Sequence, residues 1–290
     1  MPEFPIVDAH VHLYDVGRLS YGWMKAAPKI NRTHEIAEFD AARGPVEVER
    51  LVFVEVAADP GLHLDEARYA QGLAESDPRL AAVVAHAPLE KGAAVEADLE
   101  ALAALPAVRG IRRLIQSEPD PSVVLEPGFL AGLRLLPRFG LSFDICVKHW
   151  QMTYAIELAR RCPEVSFVLD HVGKPDIRNG LREPWWSQIA ELAALPNVAC
   201  KISGVITEAD HARWTPADVV PFVARAIEVF GFGRCLYGSD WTVSELTHAY
   251  PDWVAVLDGI VAGASEAERR ALYRDTAIRT YRLQPSGALA

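Results

Sequence analysis

Eight short apolar runs, separated by stretches with helical periodicity, constrain this chain more than any other feature. The runs are PIVDAH (5–10), RLVFVEVA (50–57), LAAVVAHA (80–87), VRGIRRLI (108–115), LSFDICVK (141–148), VSFVLDH (165–171), NVACKIS (197–203) and RCLYGSD (234–240). They are rich in β-branched residues and bounded by Gly, Pro, Asn or Asp, which marks strands. Most lack strict polar alternation. A strand covered on both faces has no solvent side to carry a polar stripe, so such runs belong in a parallel sheet. Between and after them, residues 64–76, 93–105, 127–139, 154–162, 184–195, 218–231, 251–263 and 265–281 set apolar side chains at helical spacing. Ser265 and Glu268 predict a capping box at the start of the last. Strand and helix alternating eight times predicts an α/β fold of the (β/α)8 TIM-barrel type, one domain spanning residues 1–290. An open doubly wound sheet is the competing architecture, but no GxGxxG follows the first strand.

Bulk properties narrow the function. Half of the 290 residues are hydrophobic, enough for a large core, and the formal charge is −10. No run of Lys or Arg stands out, which argues against nucleic acid or an anionic membrane as partner. Cys146, Cys162, Cys200 and Cys235 form no CxxC pair and read as small buried hydrophobes, not as disulfides or thiolate ligands. No secretory signal opens the chain, and no apolar stretch approaches the ~18 residues a membrane span needs, so the expected setting is cytoplasmic. The connection over residues 13–49 is long and carries Tyr14, Tyr21, Trp23 and His34, which predicts an active-site loop.

In a barrel of this type the C-terminal strand ends line the active site. Here those ends carry His10 and His12, Glu55, His86, Arg112 and Arg113, Lys148 and His149, Asp170 and His171, Lys201 and Ser203, and finally Ser239, Asp240 and Trp241. Polar groups scattered by chance would have fallen at both ends. Asp8, His10 and His12 alternate, and two histidines two apart on a strand point the same way. Neighbouring Arg112 and Arg113 point oppositely, so only one enters the barrel. His34, His63, His211 and His248 read as hydrogen-bonded loop residues, and Trp185 and Trp186 as packing residues. Imidazoles with carboxylates suit Zn2+ or a similar ion with one position open for water. Asp240 is the candidate general base, and an arginine offers a planar fork to a carboxylate, carbonyl or vicinal hydroxyls. Neither a GxSxG elbow nor a P-loop is present, which disfavours a covalent serine route.

DAHVHL, GIRRLIQ, FVLDHVGKP, KISG and RCLYGSDWTV, in that order from residue 7 to 243, resemble the amidohydrolase superfamily. More narrowly they resemble its lactonase branch, which includes fucono-, rhamnono- and galactonolactonases, 4-sulfomuconolactonase and 2-pyrone-4,6-dicarboxylate lactonase. The resemblance implies a distorted barrel that opens a sugar aldonolactone, such as an L-fucono-, L-rhamnono- or L-galactonolactone, to the open-chain acid. The alternatives it leaves are a metal-dependent decarboxylase of the superfamily and a lactonase for another cyclic ester or dicarboxylate. It implies catalytic roles for His10, His12, His171 and Asp240. Arg112, Tyr21, Trp23, Lys148, His149 and Trp241 are implied at the substrate, with Gly22 and Thr242 where the branch commonly has proline. His10, His12, Glu55, His171 and Asp240 are the implied metal ligands, Glu55 standing where the branch often has glutamine. The expected cofactor is one divalent metal, zinc first; the branch also contains enzymes in which histidines and arginines alone polarise the carbonyl. A small-molecule lactone and self-association into a homo-oligomer complete the implied partners.

Overall fold

The computed structural model describes residues 1–283. Its strands are β1 Ile6–Val11, β2 Val48–Val54, β3 Leu80–Ala85, β4 Val108–Arg112, β5 Ser142–Ile145, β6 Phe167–Leu169, β7 Val198–Ile202 and β8 Cys235–Tyr237. Each pairs in parallel with the next in chain order. A bridge between Val11 and Trp241 and a hydrogen bond from Asp240 N to His10 O (3.0 Å) bring the last strand back to the first. The chain is therefore a (β/α)8 TIM barrel.

Helices α1 Ile36–Arg43, α2 His63–Ser76, α3 Glu96–Ala103, α4 Pro127–Leu133, α5 Met152–Arg161, α6 Trp185–Ala193, α7 Pro216–Phe230, α8 Tyr250–Ile260, α9 Glu266–Arg270 and α10 Thr276–Tyr281 surround the sheet. Three departures from the sequence reading have physical reasons. The helix expected over 127–139 divides at Pro137, whose ring is incompatible with the carbonyl one turn earlier; a 3-10 turn, Leu136–Phe139, follows. That expected over 265–281 is interrupted by a π turn, Ala271–Asp275, although the capping box forms, Ser265 N donating to Glu268 Oε2 at 2.8 Å. The connection over 13–49 is not wholly irregular: it holds α1, whose one fully buried side chain, Phe39, is too little for a periodic pattern.

The apolar interior has two layers. Most of it lies between sheet and helices. A smaller cluster, Val7, Ala9, Val52, Val54, Ala82, Val84, Val168 and Leu236, fills the barrel, closed below by Ala277, Tyr281 and Leu283. Val7 and Ala9 belong to this inner cluster, so Asp8 does not share a face with the two histidines although the three alternate in the sequence. A register irregularity between Asp8 and Val11 resets the alternation. Asp8 faces the helix layer, where Oδ2 accepts from Tyr250 Oη (2.9 Å) and Oδ1 from Ser239 N (2.9 Å). It thus joins β1, the β8 end and α8, while His10 and His12 turn inward. No helix among the described residues is long and apolar enough to cross a membrane.

Candidate active site

Above the inner apolar layer the barrel becomes polar. Asp240 is the centre: the Nε2 atoms of His12, His10 and His171 lie 3.4, 3.7 and 3.9 Å from its Oδ1. All four side chains are buried. Each ring is held from behind. His12 Nδ1 meets the carbonyl of Val54 at 2.9 Å. A carbonyl only accepts, so Nδ1 carries the proton and the Nε2 lone pair faces Asp240. Arg112 Nη1 lies 3.3 Å from His10 Nε2 and can only donate. Nδ1 of His10 lies 3.4 Å from both Asp170 Oδ1 and Lys201 Nζ, so the ring is wedged between a carboxylate and two cations. Ser203 Oγ holds His171 Nδ1 at 2.9 Å.

Two glycines make room for this cluster. A Cβ on Gly204 would sit 2.5 Å from His171 Nδ1 and 2.7 Å from Asp240 Oδ2. One on Gly238 would sit 2.9 Å from the Cβ of His10. KISG and YGSDW thus encode both the functional side chains and the gaps they occupy.

Beneath lies a layer of buried charge. Arg112 Nε donates to Glu55 Oε1 (2.6 Å), Nη2 to the Glu55 carbonyl (2.5 Å) and Nη1 to Asp170 Oδ2 (3.2 Å). Lys201 Nζ contacts Asp144 Oδ2 (2.6 Å) and Asp170 Oδ1 (3.1 Å). Tyr281 Oη donates to Asp144 Oδ2 at 2.7 Å. Asp170 is thus shared by two cations and His10. Losing one member of such a set leaves an uncompensated charge in a low-dielectric interior.

Protonation follows from these surroundings. Burial pushes the imidazolium forms of His10 and His171 down, His171 to about 4, so both rings are neutral at neutral pH. For Asp240 burial works toward protonation, but the facing imidazoles of His171, His12 and His10 outweigh it and hold the carboxyl well below the usual range. The result is an ionised carboxylate beside the neutral rings of His10 and His171.

This donor set fits a divalent cation. His10, His12 and Asp240 offer ligand atoms all within 4.8 Å of one another, and so do His10, Asp170 and His171. Imidazole nitrogens and an anionic oxygen converging on one spot are the donor types a divalent metal ion takes.

The cluster opens into a cavity of about 440 Å3. His12, Arg112, His171, Lys174 and Asp240 form its polar part; Trp23, Val56, Ala58, Pro60, Leu114 and Val243 form an apolar wall. Trp23 reaches it from the long connection, its Nε1 donating to Val56 O at 2.8 Å and the residue 40% exposed.

Several expected site residues lie elsewhere. Glu55 is not with the histidines, because Arg112 and the amide of Ala57 (2.7 Å) occupy its carboxylate. Tyr21 is buried against Tyr14 and does not line the cavity. Lys148 and His149 also stay outside it: β5 ends at Ile145, and the chain turns outward into a 3-10 turn, His149–Gln151. Trp241 packs against His34 and Phe39 and donates to Glu245 Oε1 (2.9 Å). Arg112 enters the barrel, whereas Arg113 pairs outside with Glu90 and Glu118. His86 lines an adjoining cavity with His63 and Glu66. Among the polar cavity-lining residues that strand counting does not find are Asp59, Gln116, Ser117 and Lys174, which follow strands; only LDHVGKP hints at Lys174.

Comparison with known proteins places these features in a family. The family model described as Amidohydrolase matches residues 7–283. The chain is 32% identical over 256 residues to an L-fucono-1,5-lactonase of Burkholderia ambifaria, covering 87% of this chain and 85% of that one. It is 29% identical over 294 residues to an L-fucono-1,5-lactonase of Burkholderia multivorans, covering 97% and 98%. A crystal structure of an amidohydrolase from Burkholderia multivorans with bound zinc superposes with a TM-score of 0.87 at 28% identity, over 97% of this chain and 100% of that one.

Proposed function

This chain belongs to the amidohydrolase family, and from that premise we propose that it is a sugar lactonase: water attacks the carbonyl of an aldonolactone and the ring opens to the free acid. One observation carries the reading. An ionised carboxylate, Asp240, sits among three buried imidazoles at the base of a cavity of about 440 Å3, a volume suited to one small ligand.

Asp240 is the general base. Its carboxylate takes the proton of the attacking water and can return it to the ring oxygen as the ester bond breaks, so one group serves both proton transfers. His10, His12, His171 and Asp240 would hold the divalent metal, zinc by analogy with the Burkholderia multivorans structure. When bound, that metal supplies Lewis-acid polarisation of the carbonyl and lowers the pKa of water. Ser203, Val54 and Asp170 keep the imidazoles aimed, which limits reorganisation when charge develops. Arg112 acts mainly from below, fixing His10 and Asp170.

The cavity is polar at one end and apolar along the wall of Trp23, Val56, Ala58, Pro60, Leu114 and Val243. A 6-deoxy lactone, with hydroxyls on one part and a methyl group on another, suits both. The named relatives, two L-fucono-1,5-lactonases, support the same class. The test is direct. Purified protein is given a panel of pentono-, hexono- and 6-deoxy-aldono-1,4- and 1,5-lactones, and acid release is followed with a pH indicator. Release above background is expected, fastest for a 6-deoxy lactone; none across the panel would end the proposal.

A further inference from the structure

We propose that Lys174 is the cation that binds the reacting end of the ligand: the carbonyl oxygen of the lactone and, after ring opening, the carboxylate of the acid. The inference rests on the lactonase reading and names the recognition element of the same site.

Two permanently cationic side chains line the cavity, Arg112 and Lys174. Arg112 is already engaged. Its three nitrogens donate to Glu55 Oε1, to the Glu55 carbonyl and to Asp170 at 2.6, 2.5 and 3.2 Å. Turning the guanidinium toward a ligand would strand Glu55 and Asp170 in the interior. Lys174 is placed differently. Its nearest carboxylate is Glu208, with Nζ to Oε1 at 3.6 Å, beyond hydrogen-bond range. Nζ makes no direct hydrogen bond among the described residues. Its side chain is only 13% exposed, and it lines the same cavity as His171 and Asp240.

The backbone explains how a residue outside any strand reaches the floor. His171, Val172, Gly173 and Lys174 have φ of 53, 48, 72 and 48°, four successive left-handed conformations. Three of the four are side-chain-bearing residues for which that region is unfavourable. Lys174 N donates to His171 O at 2.8 Å, closing the turn. The turn presents both His171 and Lys174 to the cavity. Burial opposes the charge on the ammonium, but the carboxylates of Glu208 and Asp240 nearby favour it. An ammonium with donors uncommitted, beside an anionic base, suits an oxygen that gains negative charge during attack and keeps it in the product.

The experiment compares wild type with Lys174→Met, Lys174→Arg and Glu208→Gln, measuring KM and kcat on L-fucono-1,5-lactone and the Ki of the acid it yields. Loss of a charge-assisted hydrogen bond is about 10- to 100-fold. Lys174→Met is expected to raise KM and Ki by that amount, Ki at least as much as KM, and to lower kcat as well, because the oxygen gains charge during attack. Lys174→Arg should restore most of both. Glu208→Gln, which removes the neighbouring carboxylate but keeps the cation, should leave Ki within about threefold. If the methionine variant does not fold, Lys174→Gln is read the same way. With wild type active, a KM and Ki in Lys174→Met within twofold of wild type would overturn the inference alone, as would equal damage from Glu208→Gln. A wild type inactive on every lactone of the panel would overturn the lactonase reading and this inference with it.

Discussion

Glu66 lies in α2 behind the Val56–Pro60 segment that walls the cavity, buried to 1% exposure, with Oε1 accepting from Val56 N at 3.0 Å. Burial, and then the charge of Glu55, push its carboxyl up to about 8. In the unfolded chain it ionises near 4.3. Between those values the folded protein holds a proton that the unfolded chain has released. A raised carboxyl contributes stability that is complete below the unfolded pKa and lost as pH rises through the folded one. The slope is about 1.4 kcal/mol per pH unit while the difference is one whole proton. From pH 6.5 to 7.5 Glu66 should therefore remove about 1 kcal/mol. The comparison with a non-titrating variant isolates it: Asp8 and Asp144, raised to about 6, have largely ionised by the middle of this window, while His171 and His248, lowered to about 4 in the folded protein, titrate there only in the unfolded chain and contribute equally to both proteins. Glu66→Gln keeps the size and the acceptor for Val56 N but has no proton to lose. Urea melts of both proteins at pH 6.5, 7.0 and 7.5, at constant m, should show wild type losing about 1 kcal/mol more than the variant. Parallel stability curves would refute the claim that Glu66 is held protonated. The matter bears on the active site because Glu55 must stay anionic to hold Arg112. A second carboxylate beside Glu55 would compete for the same guanidinium.

Asp240→Asn keeps the shape but removes the base. It should lower kcat by about 100- to 10,000-fold with an unchanged circular dichroism spectrum, and a near-normal kcat would reject the assignment. Dialysis against a chelator should remove lactonase activity in step with metal content, and added zinc should restore it; full activity in protein shown by elemental analysis to be metal-free would remove the metal from the mechanism. Ser203→Ala takes away the 2.9 Å contact to His171 Nδ1. Its expected effect is a loss of about 5- to 10-fold in kcat/KM at little cost in Tm, and a wild-type kcat/KM would show that His171 needs no such support.

The architecture was readable because every β strand is covered on both faces. Burial of that kind leaves unbroken apolar runs, and eight of them with helices between admit few topologies. The core of the candidate site was readable for a related reason: His10, His12, Arg112, His171 and Asp240 lie at or just beyond strand ends, where chain position translates directly into position around the barrel. What escaped depends on features without a period. That Asp8 faces the helices while His10 and His12 face inward depends on a register irregularity between Asp8 and Val11. Lys148 and His149 were expected inside because the apolar run 141–148 outlasts β5, which stops at Ile145. Lys174 went unnoticed as a site residue because a left-handed turn, not a strand, delivers it. Glu55 is implied as a ligand by its position in the family pattern and its carboxylate, and only the structure shows Arg112 using that carboxylate.

The buried charges also explain why Asp240, and not another carboxylate, is free for chemistry. Glu55 and Asp170 are neutralised by Arg112, and Asp170 and Asp144 by Lys201. Asp144 is further bound by Tyr281, and burial pushes its carboxyl up to about 6. Asp8 is held by Tyr250 and the Ser239 amide, and its carboxyl is likewise raised by burial to about 6. Among the described residues, no Lys or Arg lies within ion-pair distance of Asp240; its partners there are three imidazoles. Offsetting the negative charge of that carboxylate during the reaction calls for a cation in the same space. Lys174 at the cavity floor meets that need from the ligand side, and a divalent ion among His10, His12, His171 and Asp240 would meet it from within. The two can be separated. In metal-free protein, Lys174→Met should still weaken binding of the product acid, whereas adding zinc to that variant should restore turnover before affinity.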